Sequence, residues 1–587
     1  MEKSRILSGL GIVTLVLALA GCEDSGSKWP IYLPDCEYSS IVFSDLEGNG
    51  SKEVVVAGGN CQSSSSGQIE AYDARSGNRR WVFSIPGLRS YPKIAVGDVN
   101  GDETLEIIFP FASGSPFGFP DNRLYVLNAH GFLAPGRWPI TSSQAYFADG
   151  MPATTLSDVN QDGINDVLVH REDIVRGYNN PFEEVYLGEG NLFSRRELDD
   201  VNTHGRSAAD FDVDGAIESA VAVEGNFGGA ILLVNHNSAE VRQLTRWVPR
   251  IIGGGILEKS ETPFQVVSGN VDGKDNLEIV ATTTREQSIE KHPYLLQEGL
   301  LYVFDLDGNK LSGWPQVLPE RFLDPVLANM DKDEDLEILV SDYYDQVHAW
   351  HHDGTQVAGW PVTLPAPLSI GNLQPPVVGD LDGDGVAEVL IALDNCKLMG
   401  WHANGAPISG YPRSVLESNG NCMIHEIAIG NFGNDMQVAI GIAGTIVDHT
   451  GKTGYVNLLT APGPYDPSAM EWPARQGNSR RTGRYNNPPS FSGGIPTFVQ
   501  GGVEKPLRFL ACASDPDGGD FLKFSIENPL NNMQLLDTVD PFCRQFYWVP
   551  KTSGTHSVRL RVEDPDEKVD THRLNFCIGG PEESRCP

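Results

Sequence analysis

Short apolar runs rich in Val and Ile recur along most of the chain, in pairs that flank an acidic loop. Ser40-Ile-Val-Phe43 and Glu53-Val-Val-Val56 bracket one loop, and Lys93-Ile-Ala-Val96 and Glu106-Ile-Ile-Phe109 bracket the next. Runs this short and this β-branched predict buried strands. A third run follows each pair and ends in a tight turn, as at Asp307-Gly308, Asp353-Gly354 and Asn404-Gly405. Asp-Gly and Asn-Gly suit hairpins, because both central residues need positive φ. An aromatic-Pro pair then marks a fourth strand: Trp138-Pro139, Trp314-Pro315, Trp360-Pro361 and Tyr411-Pro412. Proline donates no N–H and fits an outer edge.

The loops keep one register. The fullest runs Asp380-Leu-Asp382-Gly-Asp384-Gly385-Val-Ala-Glu388, and others begin at Asp45, Asp98, Asp158, Asp210, Asn270 and Asn329. A shorter, eroded copy begins at Asn431. Successive starts lie 53, 60, 52, 60, 59, 51 and 51 residues apart. That period, filled with short strands, predicts propeller blades in an all-β fold. Trp29-Pro30 precedes the first loop and Trp472-Pro473 follows the last, one aromatic-Pro mark more than the loops require. A strand over Trp29 to Leu33 that completes the final blade would give an eight-bladed β-propeller. A seven-bladed ring is the alternative, with Trp472 to Tyr485 as a tail across the closure.

The side chains at loop positions one, three, five and nine are oxygen donors, the chemistry that calcium requires, and glycine at position six eases the turn. Asp380, Asp382, Asp384 and Glu388 form the richest set, matched by Asp210, Asp212, Asp214 and Glu218. Asp158, Asn160, Asp162 and Asp166 come next. Asp45, Glu47, Asn49 and Glu53 carry a longer acid at position three. Asp98, Asn100, Asp102 and Glu106 lack the glycine, as do Asn329, Asp331, Asp333 and Glu337. In the Asn270 loop, Lys274 stands at position five and replaces the metal. The loops and their spacing resemble the FG-GAP or VCBS repeats of integrin-alpha-like propellers, over roughly residues 29–486. The resemblance implies calcium at these loops.

Residues 487–495 read as a linker, Pro-, Ser- and Gly-rich. Residues 496–587 alternate as a small β-sandwich, through Leu507-Arg-Phe-Leu510, Phe546-Tyr-Trp-Val549 and Val558-Arg-Leu-Arg-Val562. Ala513-Ser-Asp515-Pro-Asp517-Gly, Trp548-Val-Pro550 and Val562-Glu-Asp564-Pro-Asp566 resemble dystroglycan-type cadherin-like or Ig-like domains of bacterial surface proteins.

The N-terminus reads as an address. Lys3 and Arg5 precede an apolar run of 15 residues, Ile6 to Ala20, too short for a comfortable membrane span. Leu19-Ala20-Gly21-Cys22 resembles the bacterial lipobox, which implies removal of residues 1–22, lipidation of Cys22 and a tether over 23–28. The expectation is an exported protein held by its lipid, with the outer membrane or cell surface favoured. Of nine Cys, eight then remain. Cys36 with Cys61 and Cys396 with Cys422 are local pairs. Cys512, Cys543, Cys577 and Cys586 allow three connectivities.

The net charge of -35 offers no basic field to nucleic acid or to anionic lipid, so the anchor is the expected membrane contact. No H-E-x-x-H, G-x-S-x-G or Walker motif occurs. His348, His351 and His352 cluster near Trp350 and read as ordinary strand surface. Three functions stay open. The first is an adhesion or ligand-recognition platform for a protein or carbohydrate of the envelope. The second is a calcium-dependent polysaccharide lyase or other carbohydrate-active enzyme. The third is a scaffold subunit of an envelope assembly. The absence of a catalytic motif and the appended sandwich favour the first.

Overall fold

The computed structural model describes residues 28–579, apart from short internal stretches and single positions. The export signal with Cys22, residues 23–27 of the tether, Cys61, Cys586, Asp212 and Asp214 lie outside the described residues. The fold is all-β and propeller-like. Among the described residues, eight antiparallel sheets follow one another, over 37–86, 95–142, 145–197, 202–246, 250–318, 326–363, 377–414 and 31–34 with 421–464. Sheets are numbered here in that order. Within the first seven, strand order follows chain order, except that in sheet three Ala145–Phe147 and Thr154–Ser157 both pair with Asp166–Val175.

The eighth sheet takes its outer strand from the other end of the chain. Ile31–Pro34 pairs antiparallel with Gly451–Pro464, Ile31 opposite Val456. The aromatic-Pro pairs lie just before the fourth strands and not within them: Pro139 precedes Ile140–Ser142, and Pro361 precedes Val362–Thr363. Trp472-Pro473, the surplus mark, starts no fourth strand.

Sheets pack face to face, and that is why their strands are apolar on both sides. Val42, Val55 and Ile69 of sheet one share a core with Val96, Ile107 and Phe109 of sheet two. Tyr38, Ile41 and Val54 of sheet one share another with Ala428, Ala443 and Val456 of sheet eight. Each Val, Ile or Phe among them contributes roughly 1.5–3 kcal/mol when fully buried. A donor also crosses each junction to a carbonyl in or just beyond the next sheet's third strand. Trp81, Trp138, Trp314 and Trp360 donate Nε1–H to the carbonyls of Ala129, Gly188, His352 and Ala403 at 2.7–2.9 Å. Arg196, Arg242 and Arg413 reach His236, Leu306 and Thr460 in the same way. Trp29, beside the outer strand of sheet eight, reaches Ala74 in sheet one at 2.9 Å.

Residues 470–486 run along the strands that precede the acidic loops. Trp472 exchanges backbone hydrogen bonds with Val378 of sheet seven, and Pro473 accepts from Ile429 of sheet eight. Leu156 of sheet three and Ala208 of sheet four donate to the carbonyls of Arg480 and Thr482, and Tyr485 donates to the Ser268 carbonyl of sheet five. Arg481 donates to Ser40 of sheet one and to the Ile94 carbonyl beside sheet two. Glu471 accepts from the Asn329 N–H beside sheet six. The segment therefore bonds to six of the eight sheets and to residues that flank the other two, and buries Arg480, Arg481 and Arg484 almost completely.

The C-terminal strands form two further four-stranded sheets. They enclose one core of Ala511, Phe546, Trp548, Val558, Leu560, Leu574 and Phe576. Asn486 Nδ2 donates to Asp564 Oδ2 at 2.7 Å and the Lys568 ammonium lies 5.0 Å from the Tyr485 ring centre, joining this sandwich to the segment 470–486. Cys396–Cys422 and Cys512–Cys543 are disulfides, and Cys36 and Cys577 are disulfide-bonded.

Candidate metal centres on the acidic loops

The loop side chains first organise their own backbone. At position one, Asp45 accepts from Asn49 and Gly50 N–H, Asp98 from Gly101 and Glu103, Asp158 from Asp162 and Gly163, and Asp380 from Gly383 and Gly385. Position five accepts from position seven: Asn49 from Ser51, Asp102 from Thr104, Asp162 from Ile164, Asp333 from Asp335 and Asp384 from Val386. These bonds curl the loop so that its side-chain oxygens converge. Gly50, Gly163 and Gly385 hold position six at φ 82°, 84° and 79°. Glu103 takes φ 67° at the same position, so that loop keeps the turn without the glycine, at a steric cost.

Position nine does something the spacing did not reveal. One oxygen of Glu53, Glu106, Asp166, Glu218, Glu278, Glu337 and Glu388 accepts from the backbone N–H of position two, at 2.7–3.2 Å. In five of them the other oxygen has a further partner. Arg80 holds Glu53, Asn100 holds Glu106, Asn235 holds Glu218, His351 holds Glu337 and His402 holds Glu388. These buried acids staple each loop to the start of its second strand. Burial pushes Glu106 and Asp166 up to about 8, against the hydrogen bonds from Val99 and Val159. Burial likewise pushes Glu278 and Glu337 to about 7 and Asp158 to about 6. A divalent cation beside such carboxylates would favour their ionised form.

Three donor sets converge. The carboxylates of Asp380, Asp382 and Asp384 each offer an oxygen within 4.8 Å of the others. That all-oxygen set fits a hard cation such as calcium. Asp382 with Glu388 and His402, and Asp331 with Glu337 and His351, converge within the same limit. The histidines were missed as partners of these acids. Their signal is a repeated Trp-His at the end of the third strand, Trp350-His351 and Trp401-His402, and sheet register sets His402 opposite Glu388. In the Asn270 loop, the Lys274 ammonium lies 2.6 Å from Asp272, as an ion replacing a metal would. For the Asp210 loop, Asp210 and Glu218 are buried.

Between sheets three and four, Ser194 Oγ lies 2.6 Å from His236 Nδ1, and His236 Nε2 lies 2.9 Å from Glu183. The ring faces the wrong way for a hydrolase triad, in which Nε2 meets the serine. Arg206 and His170 hold the remaining Glu183 oxygen at 2.7 and 3.0 Å, so this is a buried junction network.

Residues 329–391 match the model of the FG-GAP-like repeat family. The match spans the Asn329 and Asp380 loops, where the donor sets converge. Such a repeat suggests a propeller scaffold for ligand binding or adhesion. No curated protein matches the chain. Among solved structures, the chain is similar to BBS1N in its complex with ARL6DN, at 14% identity, covering 75% of this chain and 96% of that one with a TM-score of 0.33. Sqt1 of Saccharomyces cerevisiae is 10% identical, with 74% and 98% covered and a TM-score of 0.43. A variant of the Synechocystis apocarotenoid oxygenase is 9% identical, with 75% and 96% covered and a TM-score of 0.34. At these TM-scores the likenesses carry no argument about function.

Proposed function

We propose that this chain is a lipid-anchored, calcium-binding protein of the cell envelope, whose propeller is a recognition or adhesion platform for a protein or carbohydrate. The observation that carries the reading is the convergence of Asp380, Asp382 and Asp384 within a loop design that recurs along the chain. Calcium there would bind oxygen donors that the backbone has already gathered. We read the eight sheets as eight blades of one closed ring. The shared cores, the junction donors and the pairing of Ile31–Pro34 with Gly451–Pro464 support that reading. The segment 470–486, axial in that ring, covers the strands that precede the loops, which favours the loops and outer faces as the ligand surface. The lipobox-like Leu19-Ala20-Gly21-Cys22 supports export and anchoring.

Thermal melting and ligand capture test the proposal. Calcium added to chelated protein should raise the melting temperature; no shift between calcium and chelator would remove the metal. A glycan array and a pull-down from intact envelopes, both in calcium, should capture a ligand that chelator releases. Unsaturated uronate products from a polysaccharide substrate would replace the platform with a lyase.

A further inference from the structure

The chain is strongly acidic, yet the charged side chains that line one cavity are mainly cations. It lies where sheets one and eight, the axial segment and the C-terminal sandwich meet, and it encloses about 110 Å³. Lys52, Arg484 and Lys568 line it, and Glu471 is its one carboxylate. Glu471 is already engaged, accepting from the Asn329 N–H at 3.2 Å and from the Tyr485 hydroxyl.

Two polar groups at this cavity are buried without the partner their chemistry calls for. Lys568 is 4% exposed, and among the described residues no carboxylate lies within ion-pair distance of its ammonium. The face of Tyr485, 5.0 Å away, is its aromatic neighbour. Asn486 is 6% exposed, and its Nδ2 is bonded to Asp564. Its Oδ1 is buried and, among the described residues, accepts no hydrogen bond. A buried cation favours an anion, and a buried bare carbonyl favours a donor.

We propose that this cavity is a binding site for a small hydroxycarboxylate. The carboxylate would face Lys568 and Arg484, and the hydroxyl would donate to Asn486 Oδ1. The volume sets the size. An apolar cavity of about 150 Å³ takes benzene, so about 110 Å³ suits roughly four to six heavy atoms, the size of glycolate or lactate. Bound there, the anion would touch both the axial segment and the sandwich. The inference stands apart from the calcium loops and from the platform reading.

The test is calorimetric titration of the full chain with glycolate, lactate, acetate and inorganic phosphate, each checked by thermal shift. Glycolate or lactate should bind and raise the melting temperature. Acetate, which lacks the hydroxyl, should bind several-fold more weakly. Lys568→Met should weaken glycolate by about tenfold or more, the loss expected for a hydrogen bond to a charged group. Asn486→Ala should instead erase the difference between glycolate and acetate, and this ratio stays readable if the lysine variant fails to fold. No binding of either hydroxy acid would overturn the proposal. So would equal binding of acetate or phosphate, or unchanged glycolate affinity in a folded Lys568→Met protein.

Discussion

Glu426 is the acid on which the axial segment closes, and Glu426→Gln tests that role with little change of shape. Its side chain is 2% exposed. Oε1 accepts from Arg481 Nη2 at 2.7 Å, Ser40 Oγ at 3.2 Å and the Ile41 N–H at 3.4 Å; Oε2 accepts from Lys93 Nζ at 2.7 Å. Burial would raise this carboxyl, but Arg481 and Lys93 hold it down to about 2, against an ordinary value of 4.5. A depression of that size corresponds to about 3 kcal/mol at neutral pH. Breaking a buried ion pair costs roughly 3–5 kcal/mol by a separate route, because the partner charge stays buried. Lys93 limits the loss. Burial, with Arg475 and Arg481, lowers it to about 8, so it sheds its proton readily once Glu426 is gone. We expect the variant to lose about 3 kcal/mol at pH 7. For a unit of roughly 450 residues that is a fall of about 3 °C in melting temperature. Calorimetry from pH 7 to pH 2 is the assay. The glutamate's contribution is complete above pH 4.5 and disappears as pH falls toward 2, so the two melting curves should converge over that window. Equal stability at pH 7, or a gap that persists at pH 2, would refute the reasoning.

Other outcomes follow from the same geometry. Trp360→Phe keeps a ring but leaves the Ala403 carbonyl bare, and should cost about 1–3 kcal/mol in denaturant unfolding, with Trp314→Phe alike. Glu103→Gly relieves a non-glycine residue at φ 67° and should leave stability unchanged or raise it by about 1 kcal/mol; a clear loss would show that the side chain matters more than the backbone. Burial and nearby Lys93 lower His425 to about 4, so the folded state keeps it neutral, and it should cost stability as pH falls from 6.5 to 4; His425→Asn should flatten that part of the pH profile. Asp380→Asn with Asp384→Asn should reduce the rise in melting temperature that calcium produces, which at a hundredfold excess over Kd is worth about 2.7 kcal/mol per site.

Period, strand content and loop chemistry were legible in the sequence because each is local. A Val-rich run beside Asp-x-Asp-x-Asp-Gly is a strand and a turn wherever it falls, and its spacing repeats the unit. The local pair Cys396–Cys422 was legible for the same reason, whereas the pairing of Cys512 with Cys543 depended on which strands lie side by side. Glu388 read as a ligand by its position; sheet register, which brings His402 opposite it, decided that both its oxygens are engaged. Trp-Pro pairs read as edge marks, while the fold uses the indole N–H to bridge neighbouring sheets. Most telling is the stretch from Trp472 to Tyr485, which carries no periodic pattern. Its arginines are buried only because neighbouring sheets pack around them and Glu426 pairs with Arg481. The sequence by itself determined the repeating unit, since hydrogen bonding and burial within one sheet act over some fifty residues. The partners across junctions, the N-terminal strand on the last sheet and the buried axial segment were decided only in the tertiary structure, because they join residues hundreds of positions apart.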